Sequence, residues 1–210
     1  MIMNNRDKIK NLLQYTITSG KAYNGGAFEG GYHTLNILGE TVQGQRLPSY
    51  RYEHIDYDFT GKTVLDIGSN QGGMLYEIQS KIKQGIGIDF DYRLVNVANR
   101  ISNTHNYSNL SFYVFDLDKE DYNLLNNFAN EKIDVIFLLS VCMWIKDWKS
   151  LVEWVYNNSN HCLFETNGKK EQQHEQINFL KSLYKKVTIT HEVSADDPGQ
   201  KKRKTVWCSK

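Results

Sequence analysis

Four polar residues stand where four successive apolar runs end. Asp66 lies in the run Thr63–Ile67, Asp89 closes Gly85–Asp89, Asp116 follows Leu110–Phe115, and Ser140 follows Ile133–Leu139. The first run passes directly into Gly68, Ser69, Asn70, Gln71, Gly72 and Gly73. Gly68 permits a tight turn and a close backbone approach to a ligand. Gly72 and Gly73 let a helix start against the sheet, with N–H groups that could donate to a carboxylate. An acid at the end of the second strand, about 20 residues on, can take two hydrogen bonds from a ribose diol. Asp116 could accept from an adenine amino group. Each residue also has a plain structural use: βα turns favour glycine, and Asp89, Asp91 and Asp116 can cap helices. Their coincidence at four consecutive strand ends is what favours a ligand site, because open α/β sheets bind there.

The elements that must position them are legible from residue 61 onwards. Strands are expected at 63–67, 85–89, 110–115, 133–139 and 161–165, alternating with helices at 72–83, 92–103, 119–130, 147–157 and 169–183. Two closing strands, 187–193 and 204–208, flank a turn containing Asp197, Pro198 and Gly199. The alternation predicts an α/β fold: a Rossmann-like, doubly wound, seven-stranded and mostly parallel sheet with helices on both faces. The closing hairpin makes one strand antiparallel. Ahead of it, residues 5–18 carry Ile9, Leu12, Leu13 and Ile17 at helical spacing. Gly20 to Gly31 reads as a loop ordered by Tyr23, Phe28 and Tyr32, Leu35–Leu38 as an apolar fragment, and 43–48 as a turn. Residues 1–60 thus read as a helix-and-loop lid that selects the acceptor, and 61–210 as the catalytic domain.

Over roughly residues 60–210 the chain resembles the class I S-adenosylmethionine-dependent methyltransferases. Val64 to Gly72 looks like the first motif of that family; Gly87-Ile88-Asp89, Phe115-Asp116 and Leu139-Ser140 look like the second to fourth. The resemblance implies S-adenosylmethionine as the methyl donor. It places Asp66, Gly68, Ser69, Asn70 and Gly72 around the methionine moiety, Asp89 at the ribose, Phe90 against adenine, Asp116 and Leu117 at the adenine edge, and Ser140 facing the same crevice. The middle glycine of the usual loop is Asn70 here, a residue that tolerates left-handed backbone. The spacing does not match the G-x-G-x-x-G of nicotinamide enzymes. Residues 140–148 are also similar to the enzymes that methylate the γ-phosphate capping small nuclear RNAs.

A sulfonium methyl is already activated, so such a site must align the acceptor and exclude water. An oxygen acceptor needs a base more than an amine does. Glu165, at a strand end on the ligand side, is the first candidate for that base, with His33 and Tyr32 behind it; a cap, a surface residue and a packing ring are their respective plain uses. Trp144 and Asn167 are candidates for acceptor contact. Arg46 is another, as a clamp for a carboxylate or phosphate, and it could equally pin the N-terminal segment by an ion pair.

Composition narrows the partners. Lys+Arg number 25 against 24 Asp+Glu, a net charge of +1, so no global field recruits nucleic acid. The basic run 201–204 reads as a solvated hairpin tip balanced by Asp196 and Asp197. A small metabolite or sugar-type acceptor is expected, with an RNA methyltransferase or a non-catalytic donor-binding subunit as the alternatives. Cys142, Cys162 and Cys208 are expected as buried free thiols in a cytoplasmic protein, and no metal site is expected from the His and Cys spacing. No leader peptide or membrane span is expected.

Overall fold

The computed structural model describes residues 4–16, 28–197, 199 and 202–210. Most of the loop expected at 20–31, with Tyr23, and the hairpin residues Pro198 and Lys201 lie outside these.

The strands of the main sheet are β3 (Thr63–Ile67), β4 (Gln84–Asp89), β5 (Leu110–Val114), β6 (Val135–Leu139), β7 (His161–Glu165), β8 (Lys186–His191) and β9 (Thr205–Ser209). They lie in the order β5-β4-β3-β6-β7-β9-β8. All neighbours from β5 to β7 pair parallel, and β9 runs antiparallel between β7 and β8. The helices are α1 (Asn5–Thr16), α2 (Gly73–Ile78), α3 (Tyr92–Thr104), α4 (Trp148–Asn158) and α5 (Lys170–Leu183). Strand order reverses between β3 and β6, which opens a crevice at their C-terminal ends.

Period-two alternation sorts the strand side chains onto two faces. Leu65, Ile67, Ile86, Ile88, Ile136, Leu138, Cys162 and Phe164 form one core with Leu151, Val155 and Leu180 of α4 and α5. Val64, Phe137, Leu163 and Trp207 form the other, with Met74 and Leu75 of α2 and with Phe59. Asp66 and Glu165 therefore point to the second face, the one that residues 28–59 cover. All three cysteines are buried free thiols, and burial pushes their pKa values up.

Two expectations are corrected. Residues 119–130 form no α-helix: Tyr122–Phe128 is a run of 3₁₀ turns. Four asparagines at 123, 126, 127 and 130 compete with the backbone for hydrogen bonds, which disfavours regular helix. The α2 helix also ends early, at Ile78. The apolar fragment at 35–38 is one arm of a small hairpin, β1 (Leu35–Ile37) with β2 (Glu40–Val42). Its Leu35, Ile37 and Val42 bury with Ile9 and Leu13 of α1 against Val97 and Ile101 of α3. The N-terminal segment has a core of its own, shared with the sheet's helix layer.

Candidate active site

The loop after β3 is built for close approach. Gly68 has φ +76°, and a Cβ there would lie 2.8 Å from Val141 Cγ2. The Gly68 and Ser69 N–H groups both donate to the Ile88 carbonyl, at 2.9 and 2.8 Å, tying the loop to β4. Asn70 takes φ +52°. It supplies the left-handed turn that a glycine would, and its Oδ1 accepts from Gln71 N at 3.0 Å. Gly72, at φ +82°, caps α2.

Asp89 receives two backbone N–H groups, from Asn70 on Oδ2 (3.0 Å) and from Asp91 on Oδ1 (2.9 Å). Burial still pushes its carboxyl up to about 6, against the pull of those bonds. Asp66 is buried next to it. Burial drives its pKa up to about 7, with Asp89 adding to the rise and the Arg51 guanidinium opposing it. Asp66 Oδ2, Ser69 Oγ and Arg51 Nε and Nη1 are buried without a hydrogen-bond partner. Buried polar atoms in folded proteins are nearly always satisfied, so these groups mark a place for a polar ligand. An acceptor carboxylate and unfilled guanidinium donors together suit a zwitterion. Phe90 is 74% exposed beyond the end of β4. Asp116 turns to its own loop, accepting from Lys119 Nζ at 2.6 Å and Asp118 N at 3.1 Å. Leu117 packs at the margin of the core.

The second half of the site is an ion network under the N-terminal segment. Arg46 grips Glu165 with both terminal nitrogens, Nη2–Oε1 2.7 Å and Nη1–Oε2 3.4 Å. It grips Asp196 with Nε (2.9 Å) and Nη2 (3.0 Å), and reaches Asp197 Oδ2 at 3.5 Å and Tyr32 Oη at 3.4 Å. Arg51 Nη2 donates to Glu165 Oε2 at 3.3 Å. Ser140, at φ +59°, donates to the same oxygen at 2.6 Å and accepts from Arg203 at 3.2 Å. Ser194 donates to Glu165 Oε1 at 3.0 Å. Three arginines thus face three carboxylates, and every charge has a partner.

This network reassigns several residues. Burial alone would raise the Glu165 carboxyl; Arg51 and Arg46 more than reverse that and hold it well below the usual range. A carboxylate so paired and wholly buried is a poor proton acceptor, so Glu165 is a structural anion rather than the base. All the Arg46 N–H directions are spent inside the protein, so it pins the N-terminal segment instead of clamping an acceptor. Asp196 and Asp197 turn inward to Arg46 and do not neutralise an exposed hairpin tip; Arg203 joins them, 3.8 Å from Asp197. Lys204 pairs with Glu192. Asn167 is also committed: its Nδ2 donates to the Ser140 carbonyl, and its Oδ1 accepts from Met143 N at 3.1 Å and from Gln176 at 3.2 Å. It clamps the loops after β6 and β7 together. Trp144 is 55% exposed, in the turn after β6. His33 is buried with its ring on Gly73 and Nδ1 without a partner. Burial, with Arg51 and Arg46 nearby, lowers its pKa well below the ordinary value, so it is neutral.

Sequence reading missed Arg51 and Gln71, and the meeting of Glu53, His54 and His191, whose ligand atoms lie within 4.8 Å of one another. Nothing in local spacing signals partners brought from opposite ends of the chain.

The fold and site are those of a nucleoside-binding α/β enzyme. A family described as a methyltransferase domain matches residues 58–206, and the chain belongs to that family as an S-adenosylmethionine-dependent methyltransferase. The crystal structure of the N-terminal domain of EvdMO1 with S-adenosylhomocysteine bound aligns at TM-score 0.69 and 10% identity, over 99% of this chain and 98% of that one. The bifunctional kinase-methyltransferase WbdD aligns at TM-score 0.55 and 18% identity, over 71% of this chain and 35% of that one. A precorrin 8w decarboxylase from Methanobacterium thermoautotrophicum aligns at 0.53 and 14%, over 72% and 82%. The chain spans about half of the EvdMO1 chain in a second crystal structure and about a third of the WbdD chain. At these identities the likeness shows the fold alone. No curated protein matches the chain. No helix among the described residues is long and apolar enough to cross a membrane.

The residues after β3 and β4 fit the donor. Asp66 would offer its unfilled oxygen to an ammonium, Arg51 its unfilled donors to a carboxylate, and Asp89 its remaining lone pairs to a ribose diol. When bound, S-adenosylmethionine supplies a methyl group already activated by a sulfonium.

Proposed function

We propose that the chain transfers a methyl group to an oxygen or nitrogen of a small, sugar-type or metabolite acceptor. The observation that carries this reading is the roof. Arg46 and Arg51 hold the segment 28–54 down on Glu165 at the end of β7, and Arg46 also holds it on Asp196 and Asp197 between β8 and β9, so the segment roofs the strand ends and its arginines are spent on acids of the protein. EvdMO1 was crystallised with S-adenosylhomocysteine and D-fucose, which fits an acceptor of this kind. Residues 1–60 act as the acceptor-selecting cover and 61–210 as the donor-binding domain.

On this reading Asp66, Gly68, Ser69, Asn70, Gly72, Asp89, Phe90, Asp116, Leu117 and Ser140 frame the donor, and Trp144 meets the acceptor from the exposed turn after β6. His33 is the best-placed base. It is neutral, and its unpartnered Nδ1 can take a proton from a hydroxyl that reaches it. Tyr32, whose ring lies 4.8 Å from that of His33, orients it. Arg203 and Lys204 are engaged by acids, which takes two of the four basic side chains at 201–204 out of reach of RNA.

Calorimetric titration with S-adenosylhomocysteine, followed by methyl-transfer assays on sugar-type acceptors and on RNA, tests the reading. Donor binding with turnover of a small acceptor is expected. Salt-dependent turnover of RNA alone would reverse the choice of acceptor, and binding of NAD without the sulfur ligand would reverse the choice of donor.

A further inference from the structure

The strap that Arg46 and Arg51 hold down continues into Glu53 and His54, and there it meets the edge of the sheet. His191 ends β8 just past a register shift at Ile189 and pairs with Thr205, which in turn pairs with Glu165. Its side chain is 6% exposed, and its ring lies 4.3 Å from Tyr50 and 5.3 Å from His54.

The tautomer of His191 follows from its neighbour. Thr190 Oγ1 donates to the Thr205 carbonyl at 3.2 Å. Its oxygen is then left to accept from His191 Nδ1–H, 3.3 Å away. Nε2 therefore carries a lone pair. It is buried, has no hydrogen-bond partner, and faces Glu53 Oε2 at 3.9 Å. Two acceptors facing each other, the imidazole nitrogen buried and the carboxylate at its open side, call for a cation between them. His54 brings a third ligand atom within 4.8 Å of both. It does so from φ +63°, a strained backbone for a non-glycine residue, of the kind that recurs at ligand clamps.

We propose that Glu53, His54 and His191 bind a first-row divalent transition metal, with Zn²⁺ the best match. Two imidazoles and one carboxylate suit zinc, cobalt or nickel better than magnesium or calcium. Tetrahedral zinc at about 2.1 Å from each ligand needs ligand atoms roughly 3.4 Å apart. The exposed Glu53 and His54 side chains can close that gap by rotating, while His191 stays fixed. The metal would tie the strap to β8, beyond the ion network that ties it to β7. The site is argued from these three side chains alone and stands or falls independently of the methyl acceptor.

The test uses the tag-free, chelator-treated full chain, titrated with Zn²⁺ by calorimetry and with Co²⁺ by visible absorption. Tight binding of a single equivalent is expected, with a Tm rise of roughly 5–10 °C at metal about 100-fold above Kd. Glu53→Gln and His54→Ala, both at exposed positions, should each weaken binding at least about tenfold while S-adenosylhomocysteine affinity is retained. His191→Ala would open the corner and serves only as a third comparison. A Tm indifferent to Zn²⁺ and to chelator overturns the proposal, as does binding unchanged in both exposed variants. Stabilisation on acidification without metal that is lost in Glu53→Gln marks a protonated His191–Glu53 ion pair instead, and equally overturns it.

Discussion

Arg46 and Glu165, 119 residues apart, form a two-point ion pair with no exposure to solvent, Nη2 to Oε1 at 2.7 Å. A buried pair of this kind contributes little relative to an apolar replacement, but breaking it strands a charge, which costs about 3–5 kcal/mol. Arg46→Ala and Glu165→Gln should each lower stability by about that amount. Because the two share one interaction, the double variant should lose clearly less than the sum. Urea midpoints of the four chains measure it; strict additivity would mean that the two residues act separately.

The acids at the strand ends give stability a defined pH dependence. Asp66 has a folded-state pKa of about 7 against an ordinary 3.8, so between these values the folded chain holds a proton that the unfolded chain has released. The ligand-free protein should therefore lose stability as pH rises from about 4 to about 7. Glu165 runs the other way: its depressed pKa gives stability that is present above its ordinary 4.5 and is lost as pH falls below it. Asp66→Asn should shrink the fall between pH 4 and 7, leaving the part that Asp89 contributes up to about 6, and leave the acid limb in place. S-adenosylhomocysteine affinity should rise with pH through about 7 in the parent and lose that rise in Asp66→Asn. Thermal melts and calorimetry across pH check both halves.

The sheet was legible because its signals are local. Apolar runs of five or six residues, each ended by a polar residue or glycine, define the β3 to β7 frame and the crevice beside Asp66, Gly68, Asp89 and Ser140. The small β1–β2 hairpin and the 3₁₀ run at Tyr122–Phe128 were not, since a short apolar fragment and an asparagine-rich amphipathic stretch give no firm period. The role of Glu165 was the least accessible. Its position at a strand end is readable, but its chemistry is decided by Arg46 and Arg51, 119 and 114 residues away. Asp196 and Asp197 sat beside a basic run in sequence, and only the chain's path shows that they turn toward Arg46.

Asn70 is a departure from the glycine of related loops that costs little. Asn70→Gly would relieve a left-handed residue and lose one hydrogen bond to Gln71 N, effects of about 1 kcal/mol each and opposite in sign. Affinity for S-adenosylhomocysteine should stay within about threefold of the parent. A loss above tenfold would give the Asn70 side chain a direct part in donor binding.

Gly73 tests the roof from below. A Cβ there would sit 2.6 Å from His33 Cγ, and Gly73 has no positive φ to confound the result. Gly73→Ala must push the His33 ring away, at about 1–3 kcal/mol if the hairpin gives way. Turnover should fall with kcat while donor affinity changes little, because Asp66 and Asp89 are undisturbed. Equal losses in donor affinity and kcat would place His33 in the donor pocket.

The N-terminal helix separates holding the roof from forming the crevice. Leu13 is fully buried in the cluster it forms with Val97 and Ile101. Leu13→Ala should cost about 2–5 kcal/mol through lost burial and the cavity left behind. If α1 only anchors the β1–β2 hairpin, kcat/KM well below the lowered Tm should stay near that of the parent. Deleting residues 1–50 is different: it removes Arg46 as well, leaving Arg51 as the remaining arginine on Glu165 and Asp196 without its main partner. That deletion should abolish turnover even where circular dichroism still reports the sheet. Activity surviving it would mean that the roof takes no part in catalysis, and Trp144 and the loops after β6 and β7 would then have to select the acceptor unaided.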